Sequence, residues 1–83
     1  MKQFRVTWHP DARNELAQIW LAAKDRAAVA NAANRIDTVL GDDPEAVGDD
    51  YYGDRIFVER PLAVTFVVRP DDRWVQVLQV WHR

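Results

Sequence analysis

Hydrophobic and polar residues alternate along this chain with two different periods. In "KQFRVTW" (residues 2–8), Phe4, Val6 and Trp8 alternate with Gln3, Arg5 and Thr7. This period of two predicts a half-buried strand. From His9 the period lengthens. In "HPDARNELAQIWLAAK", Ala12, Leu16, Ile19, Trp20 and Ala23 recur at three- and four-residue steps and form the apolar stripe of a helix. Pro10 suits its first turn, where a missing N–H costs nothing, and Asp11 and Glu15 lie near the positive end of the helix dipole. His9 reads as a helix-start residue. "DRAAVANAANRIDTVLG" predicts a second helix. Asp25 is its expected N-cap, Val29, Ala33, Ile36 and Leu40 share one face with Ala32 and Val39 beside it, and Gly41 sits at its expected stop. The short link implies an antiparallel helical hairpin, and the many alanines allow close approach.

Residues 42–54 read as a loop rich in Asp and Gly. Three strands follow: "RIFVE" (55–59), "LAVTFVVR" (62–69) and "WVQVLQVWHR" (74–83), the last two joined by the turn residues "PDDR" (70–73). The predicted fold class is therefore α+β in the order β-α-α-β-β-β. It is a two-layer domain in which the helical hairpin packs on one face of a mainly antiparallel four-stranded sheet. The opposite face is left partly open. Alternation along the last strand sets Trp81 on the face opposite His82, and the four tryptophans read as mostly core.

Residues 1–83 are expected to form one domain with a core of marginal size. The apolar fraction of 48% and charged fraction of 29% are those of a globular protein rather than a disordered one. There is no cysteine, which excludes disulfides, thiolate metal sites and thiol nucleophiles and fits a reducing cytoplasmic location. "MKQFRVTW" lacks the apolar run of a signal peptide, and no stretch is long enough to span a membrane. Net charge is −2, but its distribution is uneven: +2 over residues 1–41, −6 over 42–54 and +2 over 55–83. The acidity is confined to the loop, which in its simplest reading is a solvated connection, and the remaining body is mildly basic.

Candidate chemistry is narrow. There is no serine, no phosphate-binding glycine loop and no metal-ligand cluster, so neither a metal nor a cofactor is expected. Arginine, histidine, tyrosine and carboxylate remain. Arg55, Arg60, Arg69, Arg73 and Arg83 fall on or beside the three C-terminal strands, and arginine clamps phosphate bidentately. Histidine exchanges a proton near neutral pH, which His82 could use. Metal-free RNA cleavage needs a base for the 2′-OH, a cation for the transition state and an acid for the leaving oxygen. Each residue also has a plainer role: a solvated strand end for His82, edge gatekeepers for Arg69 and Arg73, and loop anchors for Tyr51 and Tyr52.

Three stretches carry a family resemblance. "VTWHPDARNELAQIWLAAKDR" has a strand and then a Pro-x-Ala-x-x-x-Leu helix opening. "GDRIFVERPLAVTFVV" has a Gly-x-Arg strand, a proline-containing turn and a β-rich run. "VQVLQVWHR" has a terminal strand closing on His-Arg. Together they resemble the RelE/ParE toxin superfamily of bacterial type II toxin–antitoxin systems, often labelled plasmid stabilisation proteins. The resemblance implies a toxin neutralised by a cognate antitoxin that wraps it. RelE-like members are metal-free endoribonucleases that cut mRNA on the ribosome, and ParE-like members poison DNA gyrase. By resemblance, Arg55 matches the strand arginine that holds the phosphate, and His82 the terminal histidine that acts as base or acid. Arg83 stands at a position often aromatic or basic, and Arg60 joins it as a candidate phosphate ligand. The chain departs from the family at "RPLAV", where Leu62 and Ala63 replace a tyrosine and an arginine, and it lacks a lysine-rich segment. Three readings follow. A ribosome-dependent ribonuclease predicts Arg55 and His82 on one open face within reach of a single phosphate. A gyrase inhibitor predicts that His82 is dispensable. A toxin fold without activity only binds its antitoxin.

Overall fold

Strand β1 (Arg5–Trp8) runs directly into helix α1 (Pro10–Ala22), and helix α2 (Arg26–Asp42) follows after a short link in this computed structural model, which describes residues 3–83. Both helix starts are fixed by side chains. His9 Nδ1 accepts the Asp11 N–H at 3.1 Å, with Pro10 in the first turn, and the Asp25 carboxylate accepts the Ala28 N–H at 3.0 Å. Gly41 does not end α2. The helix runs on through Asp42 and closes with the Asp43 N–H on the Val39 carbonyl.

Strands β2 (Asp49–Tyr51), β3 (Asp54–Glu59), β4 (Leu62–Arg69) and β5 (Trp74–His82) complete the fold, with a 3₁₀ turn over Pro70–Asp72. The sheet has five strands in the order β1-β5-β4-β3-β2. β1 is parallel to β5, and the other pairs are antiparallel. The extra strand, β2, lies within the stretch expected to be loop. Its three residues are exposed and show no apolar alternation, so nothing in their own chemistry marks a strand. The hairpin is made by its turn instead. Tyr52 and Gly53 both have positive φ, 50° and 89°, the combination that lets a two-residue turn follow the twist of its strands.

Helix α2 lies across β1, β3 and β4, while α1 lies along β5. Between them and the sheet sits one core. Val29, Ala32, Ile36 and Leu40 of α2 and Ala12 of α1 meet Leu62, Val64 and Phe66 of β4 and Val75, Val77 and Val80 of β5. Each large side chain here contributes about 1.5–3 kcal/mol of burial. The tryptophans are not fully buried, although Trp8 packs against the edge of the core. Trp20 is 40% exposed beneath the Arg26 guanidinium, and Trp8, Trp74 and Trp81 are half-buried. Trp8 and Trp74 place their indole N–H groups on Asp37 (2.7 Å) and the Thr7 hydroxyl (2.9 Å), which explains why their polar edges stay near the surface. No helix among the described residues is long and apolar enough to cross a membrane.

One irregularity in β5 decides where the strand's end points. Thr65 pairs with Gln79, but the next residue on β4, Phe66, pairs with Val77, so Leu78 is an extra residue in β5. Such a bulge reverses the alternation beyond it. Val75 and Val77 face the core before the bulge, and Val80 faces it after. His82 is in phase with Val80 and so lies on the helix side of the sheet. Trp81 lies on the open side, opposite His82 as expected.

Candidate functional site at the cationic end of the sheet

The end of β5 and the turn between β3 and β4 form a single structure. His82 pairs with Leu62, and the Arg83 N–H donates to the Pro61 carbonyl at 2.7 Å. From α2, Arg35 Nη2 donates to the Arg60 carbonyl at 3.4 Å, and its Nε pairs with Glu59 at 3.1 Å. Arg60, His82 and Arg83 are therefore gathered at one end of the sheet, all exposed. His82 also borders a groove of about 660 Å³ on the helix side, with Ile19, Ala23, Lys24, Val29 and Pro61 in its walls. Among the described residues, neither Arg60, Arg83 nor Lys24 is within salt-bridge reach of a carboxylate. Lys24 shares the groove with the imidazole, as do the Glu15 and Asp25 carboxylates, and Arg60 and Arg83 stand at the strand ends next to it; such cations suit an oxyanion such as a phosphate.

Arg55 is not part of this group. It pairs with Phe66, one strand from β4 on the β3 side, while His82 pairs with Leu62, one strand away on the β5 side. Four residues along β4 and two inter-strand spacings separate them, about 16 Å between Cα atoms. Its guanidinium is turned inward as well. Arg55 Nε and Nη2 donate to the Val47 carbonyl at 3.2 and 3.0 Å, and Nη2 also reaches the Gly48 carbonyl at 3.1 Å and that of Glu45 at 3.4 Å. Asp50 adds a distant ion pair at 3.8 Å. Arginine's planar fork suits this use, because it gathers carbonyls that a loop cannot pair among themselves. The expected Arg55–His82 pair on one open face is thus not assembled: the two are far apart, Arg55 is tied to the loop, and both stand in rows of the helix side of the sheet, opposite the core residues Phe66 and Leu62.

The open face has a different chemistry. Register sets Ile56 and Val58, Ala63 and Thr65, and Gln79 and Trp81 on it. Ala63 and Thr65 are buried although they face away from the helices, so they form the floor of a shallow trough. Thr65 Oγ1 donates to Gln79 Oε1 at 3.4 Å. Leu78, Gln79 and Trp81 share a depression with Tyr51 and the α1 carboxylates Asp11 and Glu15. His82 does not lie on this face. Ala63 is the position where the sequence departs from the family's arginine, and it contributes only a methyl group to the trough.

Tyr51 and Tyr52 do not anchor the loop. They stand 41% and 95% exposed at the β2–β3 turn, edge to face with ring centroids 5.0 Å apart. Arg69 lies over the Trp74 ring at 5.9 Å, next to the β4–β5 turn. Sequence reasoning missed Arg35 and Glu59. Arg35 belongs to the solvent side of an amphipathic helix, and only the tertiary contact of α2 with the β3–β4 turn gives it a partner.

No family model matches the sequence, and no curated protein matches it. Solved structures do. A chain of the toxin–antitoxin complex RelBE2 from Mycobacterium tuberculosis superposes with a TM-score of 0.83 at 18% identity, covering 100% of this chain and 94% of that one. A chain of the chromosomal ParDE TA system from P. aeruginosa superposes with a TM-score of 0.66 at 18% identity, covering 96% of each. The resemblance to the RelE/ParE superfamily read from three stretches of sequence therefore extends to the fold of the whole chain.

Proposed function

We propose that this chain is the toxin component of a type II toxin–antitoxin system, held inactive by a cognate antitoxin. In this reading its cationic end engages the phosphates of mRNA on the ribosome. The carrying observation is the convergence of Arg60, His82 and Arg83 at one end of the sheet. The full-length likeness to chains of two toxin–antitoxin assemblies supports the toxin role. In the cleavage step His82 takes the 2′-OH proton, the 2′ oxygen attacks the adjacent phosphorus, the bond from phosphorus to the 5′ oxygen breaks to leave a 2′,3′-cyclic phosphate, the departing 5′ oxygen takes a proton from water, and Arg60 and Arg83 stabilise the charge that develops at phosphorus. Arg55 acts at a distance in this scheme, by holding the loop. The second reading, inhibition of DNA gyrase by binding alone, is favoured by the commitment of Arg55 to loop carbonyls, because a ribonuclease was expected to use that arginine on the phosphate.

A reconstituted translation reaction separates the two. Purified protein is added, mRNA 3′ ends are mapped, and gyrase supercoiling is followed in parallel. Ribosome-dependent cuts that disappear in His82→Gln and weaken in Arg60→Gln and Arg83→Gln support the ribonuclease reading. Intact mRNA with inhibited supercoiling, unchanged by His82→Gln, selects the gyrase reading. Inactivity in both arms overturns the toxin role and leaves antitoxin binding alone.

A further inference from the structure

The cationic end contains a carboxylate that ought to spoil it. Glu59 pairs with Leu62, and Leu62 pairs with His82, so Glu59 and His82 flank Leu62 in one row across three strands. Residues in such a row project to the same side of the sheet, and two strand spacings put these two about 10 Å apart at Cα. That is within the combined reach of a glutamate and a histidine side chain. Glu59 also directly precedes Arg60. Left alone, its carboxylate would have a protonatable neighbour in its own row, His82, and a cationic one next to it in sequence, Arg60. It takes neither of them. Its Oε2 is held at 3.1 Å by Arg35 Nε, from helix α2. The same guanidinium donates to the Arg60 carbonyl at 3.4 Å, so one side chain holds both the acid and the turn beside it. Glu59 is mostly buried by this arrangement, with its side chain 26% exposed, whereas Arg35 is 51% exposed.

We infer that Arg35 is a positioning residue of the anion site: it sequesters the Glu59 carboxylate, an intramolecular competitor for the cations that would otherwise receive a phosphate. The inference rests on the placement of the site at Arg60, His82 and Arg83. Two other acids line the groove with His82, Glu15 of α1 and Asp25, whose carboxylate accepts the Ala28 N–H at the start of α2; Glu59 differs from both in sharing the strand row of His82 and in being held by Arg35. A bare ion pair on a surface stabilises a fold weakly. Its value here lies in where the negative charge is kept.

The test uses the full chain and a short fluorescein-labelled single-stranded RNA as the phosphate probe, with affinity read by fluorescence anisotropy at low salt. Arg35→Gln frees Glu59 and weakens binding about fivefold, the factor that one unit charge at about 4 Å imposes in a water-like dielectric. The double variant Arg35→Gln with Glu59→Gln recovers wild-type affinity. The combination of Arg35→Gln with Glu45→Gln has the same net charge, but its carboxylate is removed from the loop held by Arg55 at the other end of the sheet, and it stays weak. A purely structural role for the bridge predicts the reverse, because the double variant has lost the bridge too. The inference is overturned if the Glu59 double variant remains as weak as Arg35→Gln, or if the Glu45 double variant recovers equally. Arg60→Gln and Arg83→Gln test the underlying site separately. If both leave RNA affinity unchanged, the anion site itself is overturned. If they weaken it while Glu59→Gln fails to rescue Arg35→Gln, only the role of Arg35 is.

Discussion

Arg55 is the residue on which the structural and the sequence-based expectations diverge most, and replacing it with alanine distinguishes them. Its guanidinium makes two good hydrogen bonds to backbone carbonyls, at 3.0 Å to Val47 and 3.1 Å to Gly48, and two longer ones. Hydrogen bonds from a charged donor contribute about 1.5–3 kcal/mol each. The side chain is 31% exposed, so water recovers part of what is lost. Two bonds at the lower value, discounted by about a third for that exposure, give a loss of about 2 kcal/mol for Arg55→Ala. The Asp50 ion pair adds little, because Asp50 is 98% exposed. In a domain of this size the loss corresponds to a fall in melting midpoint of about 8–16 °C. Thermal and urea denaturation followed by circular dichroism measure it. Native-state hydrogen exchange should show faster exchange of the Gly48 and β2 amides before the rest of the sheet opens. Arg55→Lys should recover less than half of the stability, since an ammonium group cannot fork across two carbonyls. A phosphate ligand on a free surface predicts the opposite pattern. If Arg55→Ala melts within about 2 °C of the parent and loses RNA binding, the loop-clamp account is wrong.

Two glycines with nearly equal φ offer a second test. An alanine at Gly53 (φ +89°) meets nothing within 4 Å and should cost only the left-handed backbone penalty of about 1 kcal/mol. An alanine at Gly48 (φ +82°) would put its Cβ 2.7 Å from the Ile56 carbonyl oxygen and 3.3 Å from the Phe66 ring, so its cost should rise to about 3 kcal/mol. Equal urea midpoints for the two variants would contradict the close approach at Gly48. Asp37→Ala removes the acceptor of the Trp8 indole and should destabilise by about 1 kcal/mol, with a shift in tryptophan emission that Asp42→Ala does not produce.

The elements that could be read from the sequence are those in which neighbouring residues carry their own instructions. β4 has the bounds its alternation implied, the Asp25 cap forms as expected, and His9 stands at the start of α1, where its ring also caps the helix. β2 could not be read, because Asp49, Asp50 and Tyr51 are held by a turn and a partner strand rather than by an apolar face. The only local signal was Gly53, placed second in a two-residue turn. The bulge at Leu78 left one trace: in "VQVLQV" the adjacent Val77 and Leu78 break the apolar–polar alternation, which continued unbroken would put Gln79 on the face of Val75 and Val77.

That single inserted residue controls the placement of the site. In unbroken alternation from Val75 and Val77, Gln79 and Trp81 would enter the core and His82 would face the open side. With the bulge, Val80 enters the core, Trp81 is left to the trough, and His82 faces the helices beside Pro61 and Lys24. The register forces this exchange. The core accepts a valine more readily than a tryptophan, whose indole N–H would need a buried partner. Packing at Val80 thus determines which side of the sheet the imidazole serves, and places it in the groove with Lys24 and beside the β3–β4 turn that carries Arg60, while Arg55 is left with the loop.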